Sequence, residues 1–314
     1  MVRPGIRFMV LSAFAFSAMT VCVKVAAVRL PTVEIVFVRA LISLALSLVG
    51  LAGSGVSLLG KRRGLLLLRG LLGFGGLHCV FWSVAHLPLA EATVLQYTHP
   101  LFTALLATVL LSESPGPGVL RGIALSLAGL ALVTGLVGGA SQGLMLEPSA
   151  VAVALAGAFL SACAYVVVRR LSATESPLVI VLYFPLVTVP ATLPLVWHTA
   201  VWPVGAEWLW LLGVGVWAQV GQVALTHGLR RERAARATAL SYLQVLFAAG
   251  FGLLLFGERL TPWAACGAAL IVLGSLVAGR RGETLAPATL ASGGAGAGSG
   301  AAELAGRDRI PPRY

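Results

Sequence analysis

Two short polar clusters interrupt long apolar stretches of this sequence: Gln96-Tyr97-Thr98-His99, followed at once by Pro100, and Ser241-Tyr242-Leu243-Gln244. Their amide, phenol, hydroxyl and imidazole groups offer donors and acceptors to a polar solute. On a helix Gln96 and His99, three residues apart, share a face, and so do Ser241 and Gln244. Pro100 has no N–H to give the carbonyl of Gln96, which leaves that oxygen free for a ligand or a water. The two faces would form opposite walls of one central cavity. The plainer alternative is that these groups hydrogen-bond between helices as packing glue. Two clusters taken together favour the cavity.

Other residues join them as candidates. Trp82 and Trp217 would give an aromatic lining, and Gln219 and Gln222 would add amides. His78 and His99 are the candidates for a coupling proton, since imidazole titrates near neutral pH; the bland reading is a neutral, hydrogen-bonded histidine. Glu113 and Glu258 end two helices, where a carboxylate is unfavourable. An arginine or the next helix's N-terminus is therefore expected to compensate each. Glu113, Glu258, Pro100 and Arg39 are read as gate or structural residues. Arg39 and Arg69 are expected to pair with carboxylates or to snorkel to headgroups, with an anion-binding role open at Arg39.

The elements that must position these residues are set by composition. The 314 residues are 58% hydrophobic and 11% charged, with mean hydropathy +0.95, whereas a soluble domain is about one quarter charged. So much apolar surface cannot be hidden in one soluble core. Lipid is the expected solvent, and membrane lipid the expected surrounding. A helix needs about 20 apolar residues to cross the bilayer. On that ruler ten spans run at about 8–28, 33–53, 65–86, 91–112, 119–138, 149–169, 178–197, 207–228, 236–256 and 262–279. No alternating barrel pattern competes. Cys22, Cys79, Cys163 and Cys266 stand singly in apolar runs and read as small buried hydrophobes.

The net charge of +11 does not indicate nucleic acid, because the basic residues cluster between spans. Placing the N-terminus in the cytoplasm puts Lys61-Arg62-Arg63, Arg121, Arg169-Arg170, the Arg230–Arg236 group and Arg280-Arg281 inside. Segments 87–90, 139–148 and 198–206 then lie outside with no Lys or Arg. Both termini are expected in the cytoplasm of a bacterial cell, the chain lying in its inner membrane. The first span has signal-peptide features but is read as a retained helix. Residues 282–314 turn Ala/Gly/Ser-rich and are expected to be a disordered cytoplasmic tail.

A shift of 145 residues superimposes one half on the other: Gly70 on Gly215, Gly76 on Gly221, Tyr97 on Tyr242, Glu113 on Glu258, Pro117 on Pro262, Gly122 on Gly267 and Gly129 on Gly274. The repeats are expected at 1–138 and 149–281. Five spans in each half force the second to enter the membrane from the opposite side, an inverted repeat with its site near the midplane.

Leu87-Pro88-Leu89-Ala90-Glu91-Ala92-Thr93, His99-Pro100-Leu101-Phe102-Thr103 and Leu111-Ser112-Glu113, with Gly122 and Gly129, resemble the EamA-type repeat of the drug/metabolite transporter superfamily. Phe256-Gly257-Glu258-Arg259-Leu260-Thr261-Pro262, with Gly267 and Gly274, is similar again, as are Lys24 and Arg39. The second half departs from the pattern with Arg169 for the Lys and Phe184 for the Arg. Over residues 8–280 the resemblance implies an all-α membrane protein of ten helices that moves small metabolites by alternating access.

No G-x-S-x-G elbow, H-E-x-x-H helix or nucleotide-binding loop is present. An intramembrane enzyme and a non-transporting scaffold are the competing classes, both disfavoured. The expectation is a secondary transporter with no cofactor, no metal and a small-molecule substrate. Export of an amino acid or related metabolite leads. Uptake of the S-adenosylmethionine-carrier type is the alternative, because Arg69-Gly70 and Leu87–Ala90 also resemble that branch.

Overall fold

Pro117, Pro148, Pro177 and Pro262 each open a helix, the position where a missing N–H costs nothing and the fixed φ is already helical. The structure, a computed structural model, describes residues 4–87, 89–134, 147–257 and 262–279. The expected tail at 282–314 and Glu258 lie outside them. Twelve α-helices and one short 3-10 turn make up the described residues, with no strand among them. They are α1 (Pro4–Ala26), α2 (Thr32–Leu51), α3 (Arg63–His86), α4 (Leu89–Gln96), α5 (His99–Leu111) and α6 (Pro117–Val133), then α7 (Pro148–Leu171), α8 (Pro177–Thr199), α9 (Glu207–Arg231), α10 (Ala234–Ala239), α11 (Leu243–Phe256) and α12 (Pro262–Gly279). The 3-10 turn, Leu240–Tyr242, joins α10 to α11.

Taking α4–α5 and α10–α11 each as one crossing, nine helical segments among the described residues are long and apolar enough to span a membrane. The tenth, α6, is a shorter apolar helix of 17 residues. Two expected spans differ in form. Segment 91–112 is broken at Tyr97-Thr98, and 236–256 tightens at Leu240–Tyr242. Both interruptions fall at the polar clusters.

The contacts repeat with the 145-residue register. Helix α1 packs on α9 and α11, as α7 packs on α3 and α5; α2 pairs with α8, and α6 with α12. Close approach is written in glycine. A Cβ on Gly122 would lie 2.5 Å from the carbonyl oxygen of Gly274, and one on Gly129 2.5 Å from that of Gly267. These four residues are two pairs of repeat mates, so α6 and α12 cross antiparallel on a seam that maps onto itself. Gly70 against Val187 and Gly215 against Ile42 form another mirrored pair.

The helix ends agree too. Ser112 closes α5 at φ 53 and its mate Gly257 closes α11 at φ 64, each giving its N–H to the carbonyl five residues back. Ser112 is the one non-glycine at positive φ among the described residues. All four cysteines are free thiols. No group of three metal-ligating side chains occurs among the described residues.

Candidate functional site

The breaks in the two discontinuous crossings place Gln96, Tyr97, His99, Ser241 and Gln244 around one cavity of about 210 Å³. Helix α1 closes it with Ser12 and Phe16, and α7 with Tyr165. Gln96, Tyr97 and Gln244 also form a wall of a larger cavity of about 520 Å³, bounded by α1, α2, α3, α9 and α11 and reached by Arg39. Each cavity therefore draws walls from both halves of the chain.

Several bonds fix the polar groups. Tyr242 is fully buried; its hydroxyl donates to the carbonyl of Tyr97 at 2.7 Å and its ring stacks on that of Tyr97 at 5.7 Å. Tyr242 thus holds Tyr97 and lines neither cavity. Gln96 Nε2 donates to Ser161 Oγ at 3.3 Å, while its Oε1 is buried without a partner among the described residues. Ser17 Oγ donates to the carbonyl of Gln244 at 2.6 Å, leaving the Gln244 amide group to the cavities. His99 is buried with Nδ1 unpartnered among the described residues and meets the Tyr165 ring edge-on at 5.2 Å. Buried polar groups in that condition are costly unless something binds them. Pro100 sits in the first turn of α5, just past the break.

The other candidates lie elsewhere. Trp82 stacks on His86 at 3.8 Å, Trp217 meets Phe14 edge-on at 5.9 Å, and His78 faces Phe74 at 6.2 Å. Gln219 Nε2 donates to Ser47 Oγ at 2.8 Å. Gln222 accepts from Arg69 Nη2 at 3.0 Å. None of these lines either cavity. Tyr165 does, and sequence reasoning missed it. Its signal was the repeat itself, because Tyr165 stands one register from Thr20 and both face a cavity.

Charges sort into paired and unpaired. Glu113 meets Arg169 Nη2 at 2.7 Å and Nε at 2.8 Å, and also accepts the N–H of Ala234 at the start of α10 at 2.9 Å. Arg169 Nη1 donates to the carbonyls of Leu229 and Arg230, each at 3.0 Å. Four chain segments meet at that ion pair. Glu207 pairs with Arg29 and holds its guanidinium charged even more firmly than usual. Glu232 pairs with Arg236, Glu175 caps the backbone of Lys61 and Arg62, Glu34 accepts from Val201 N, and Glu147 bonds Ser149.

Arg39 and Arg69 receive none of these carboxylates, so of the two fates expected of them, pairing or snorkelling to headgroups, the first finds no partner among the described carboxylates. Both are buried, and each rests a guanidinium on the Phe184 ring, at 5.4 and 5.3 Å. Burying such an ion costs several kcal/mol. A desolvated cation–π contact returns about 2 kcal/mol, so one shared ring does not balance two cations.

Comparison with known proteins fits this picture. The profile of the EamA-like transporter family matches residues 3–135 and again 148–280. The chain is 32% identical over 281 residues to the pseudopaline exporter of Pseudomonas aeruginosa, covering 89% of this chain and 97% of that protein. It is 24% identical to human solute carrier family 35 member G1, over 88% of this chain and 79% of that one. A solved crystal structure 21% identical superposes with a TM-score of 0.78 over 88% of this chain and 97% of its own; that likeness concerns the fold alone. With the family profile met twice along a helical membrane chain, this protein belongs to the EamA-like transporter family, and is a multi-pass membrane transporter rather than an enzyme.

Proposed function

We propose that the chain is a secondary carrier that exports a small polar organic metabolite, an amino acid or related compound, across a bacterial inner membrane by alternating access, with both termini in the cytoplasm. One observation carries this reading: Gln96, Tyr97 and Gln244, drawn from the interrupted crossings of the two halves, wall two adjoining cavities. Broken helices at a repeat interface are the usual seat of a substrate site in secondary transporters. Polar groups retained inside a membrane are expensive and by default functional. The relative named as an exporter supports the direction. The family profile supports a transporter, and without a nucleotide-binding loop in the sequence it would draw on a solute or ion gradient. Of the two histidines considered for a coupling proton, His99 lines a cavity and is the one proposed.

The test is counterflow in liposomes holding the purified protein, run against a metabolite panel with and without a pH gradient. Exchange of at least one amino-acid-like compound is expected, and a pH gradient should alter net flux but not exchange at equilibrium. No exchange for any compound would overturn the carrier reading. Accumulation driven only inward would replace export by uptake.

A further inference from the structure

We propose that Arg39, with Arg69 behind it on the same Phe184 ring, forms an anion-recognising end of the larger cavity, so that the organic solute carried bears an oxyanion, a carboxylate or a phosphate. This rests on the carrier reading above and narrows its substrate class.

Arg39 is 9% exposed and lines the cavity. Its Nε is buried without a partner among the described residues. Arg69, 4% exposed, spends Nη2 on the neutral oxygen of Gln222, and its Nε is likewise unpartnered. Every carboxylate whose side chain the structure describes is engaged elsewhere. The two cations share the ring of Phe184, whose attraction is smaller than the penalty of desolvating both.

Intramembrane charge of one sign, left with open donors, marks a place where the counter-charge arrives from outside. Guanidinium is suited to that, because its planar fork matches the two oxygens of a carboxylate or a phosphate edge. The surroundings favour an organic solute over a lone inorganic ion. Gln96, Tyr97 and Gln244 line the same cavity as Arg39, and the remaining wall is mostly apolar. A chamber of about 520 Å³ with a few convergent polar groups has the size and character of a small-molecule site.

The experiment reads binding rather than flux. The thermal unfolding midpoint of the purified full-length protein in detergent is followed by tryptophan fluorescence while glutarate, citrate or glucose 6-phosphate is titrated in. Glutaramide and 1,5-diaminopentane serve as the neutral and cationic counterparts. At least one oxyanion should raise the midpoint saturably while the counterparts do not, and the carboxylate and phosphate arms say which oxyanion is preferred. Arg39→Gln and Arg69→Gln should each weaken the apparent affinity by about tenfold or more. Where those variants do not fold, Arg39→Lys keeps the charge but loses the fork and should still bind more weakly than wild type. The proposal is overturned if no oxyanion raises the midpoint, or if the variants respond as wild type does. A protein that binds oxyanions through these arginines but exchanges nothing in liposomes would sink the carrier reading alone. One that exchanges neutral solutes and ignores oxyanions would sink this inference alone.

Discussion

The hydroxyl of Tyr242 donates to the backbone carbonyl of Tyr97, the residue 145 positions earlier that occupies the same place in the other half. A bond between repeat mates cannot be symmetric. Here Tyr242 is fully buried while Tyr97 faces both cavities. If the proposed alternating-access cycle holds, the halves exchange environments in the oppositely open state, and the mirrored bond, Tyr97 hydroxyl to Tyr242 carbonyl, should take its place. Tyr242→Phe is therefore expected to destabilise the present state by about 1 kcal/mol, the net worth of a typical hydrogen bond. Tyr97→Phe should leave that stability unchanged. Unfolding midpoints of the two variants decide it, and equal losses would remove the asymmetry.

Gln244 and Gln219 offer a second contrast. The Gln244 amide faces both cavities with its backbone carbonyl already bonded to Ser17, whereas Gln219 is bonded to Ser47 across α2 and α9. Gln244→Leu should raise the KM for exchange by about tenfold, the value of one good hydrogen bond, at unchanged stability. Gln219→Leu should lower the unfolding midpoint and leave KM alone.

The Glu113–Arg169 pair is partly shielded, with side chains 15% and 26% exposed. Such pairs lie between the surface and buried regimes, so a double-mutant cycle with Glu113→Gln and Arg169→Gln should return about 2 kcal/mol of coupling. Arg169→Lys should recover little of it. One ammonium cannot span a carboxylate and two backbone carbonyls, although Lys24 is the matching residue of the first half.

Ser112 and Gly257 test the helix ends. An L-residue in the left-handed region costs roughly 1 kcal/mol relative to glycine. Ser112→Gly should raise stability by about that amount, and Gly257→Ser should lower it similarly, both read from thermal unfolding.

For the glycines, space decides the sign. Gly129→Ala places a methyl against the Gly267 carbonyl and should cost about 1–3 kcal/mol by overpacking. Gly250, with nothing within 4 Å of its added Cβ, should gain about 0.5–1 kcal/mol as Ala from helix propensity alone.

Much of this was legible in the sequence because it rests on spacing. Apolar run lengths marked the crossings, and one register of Gly, Pro, Tyr and Glu marked the duplication. The break at Tyr97-Thr98 was foreshadowed by Pro100, since a ring without N–H loosens the turn before it. The 3-10 turn before Leu243 had no such proline and could be anticipated only through its mate. Which polar groups face a cavity was harder to see. In helices apolar on every side no stripe marks the inner face, so Gln219 and Gln222 looked as available as Gln244. The pairing of Arg39 with Arg69 was hidden by the register. Phe184 stands where the first half has Arg39, so the second half seemed merely to lack a charge, although its ring is what the two cations share.

The seam of α6 and α12 carries a consequence of its own. Its four glycines exchange places under the repeat operation, so tilting one half or the other presents the same ridgeless contact. In the proposed cycle that crossing is a fulcrum, indifferent to which side of the membrane lies open, and the energy that separates the two facings must be stored farther out, in the ties that are not shared by both halves.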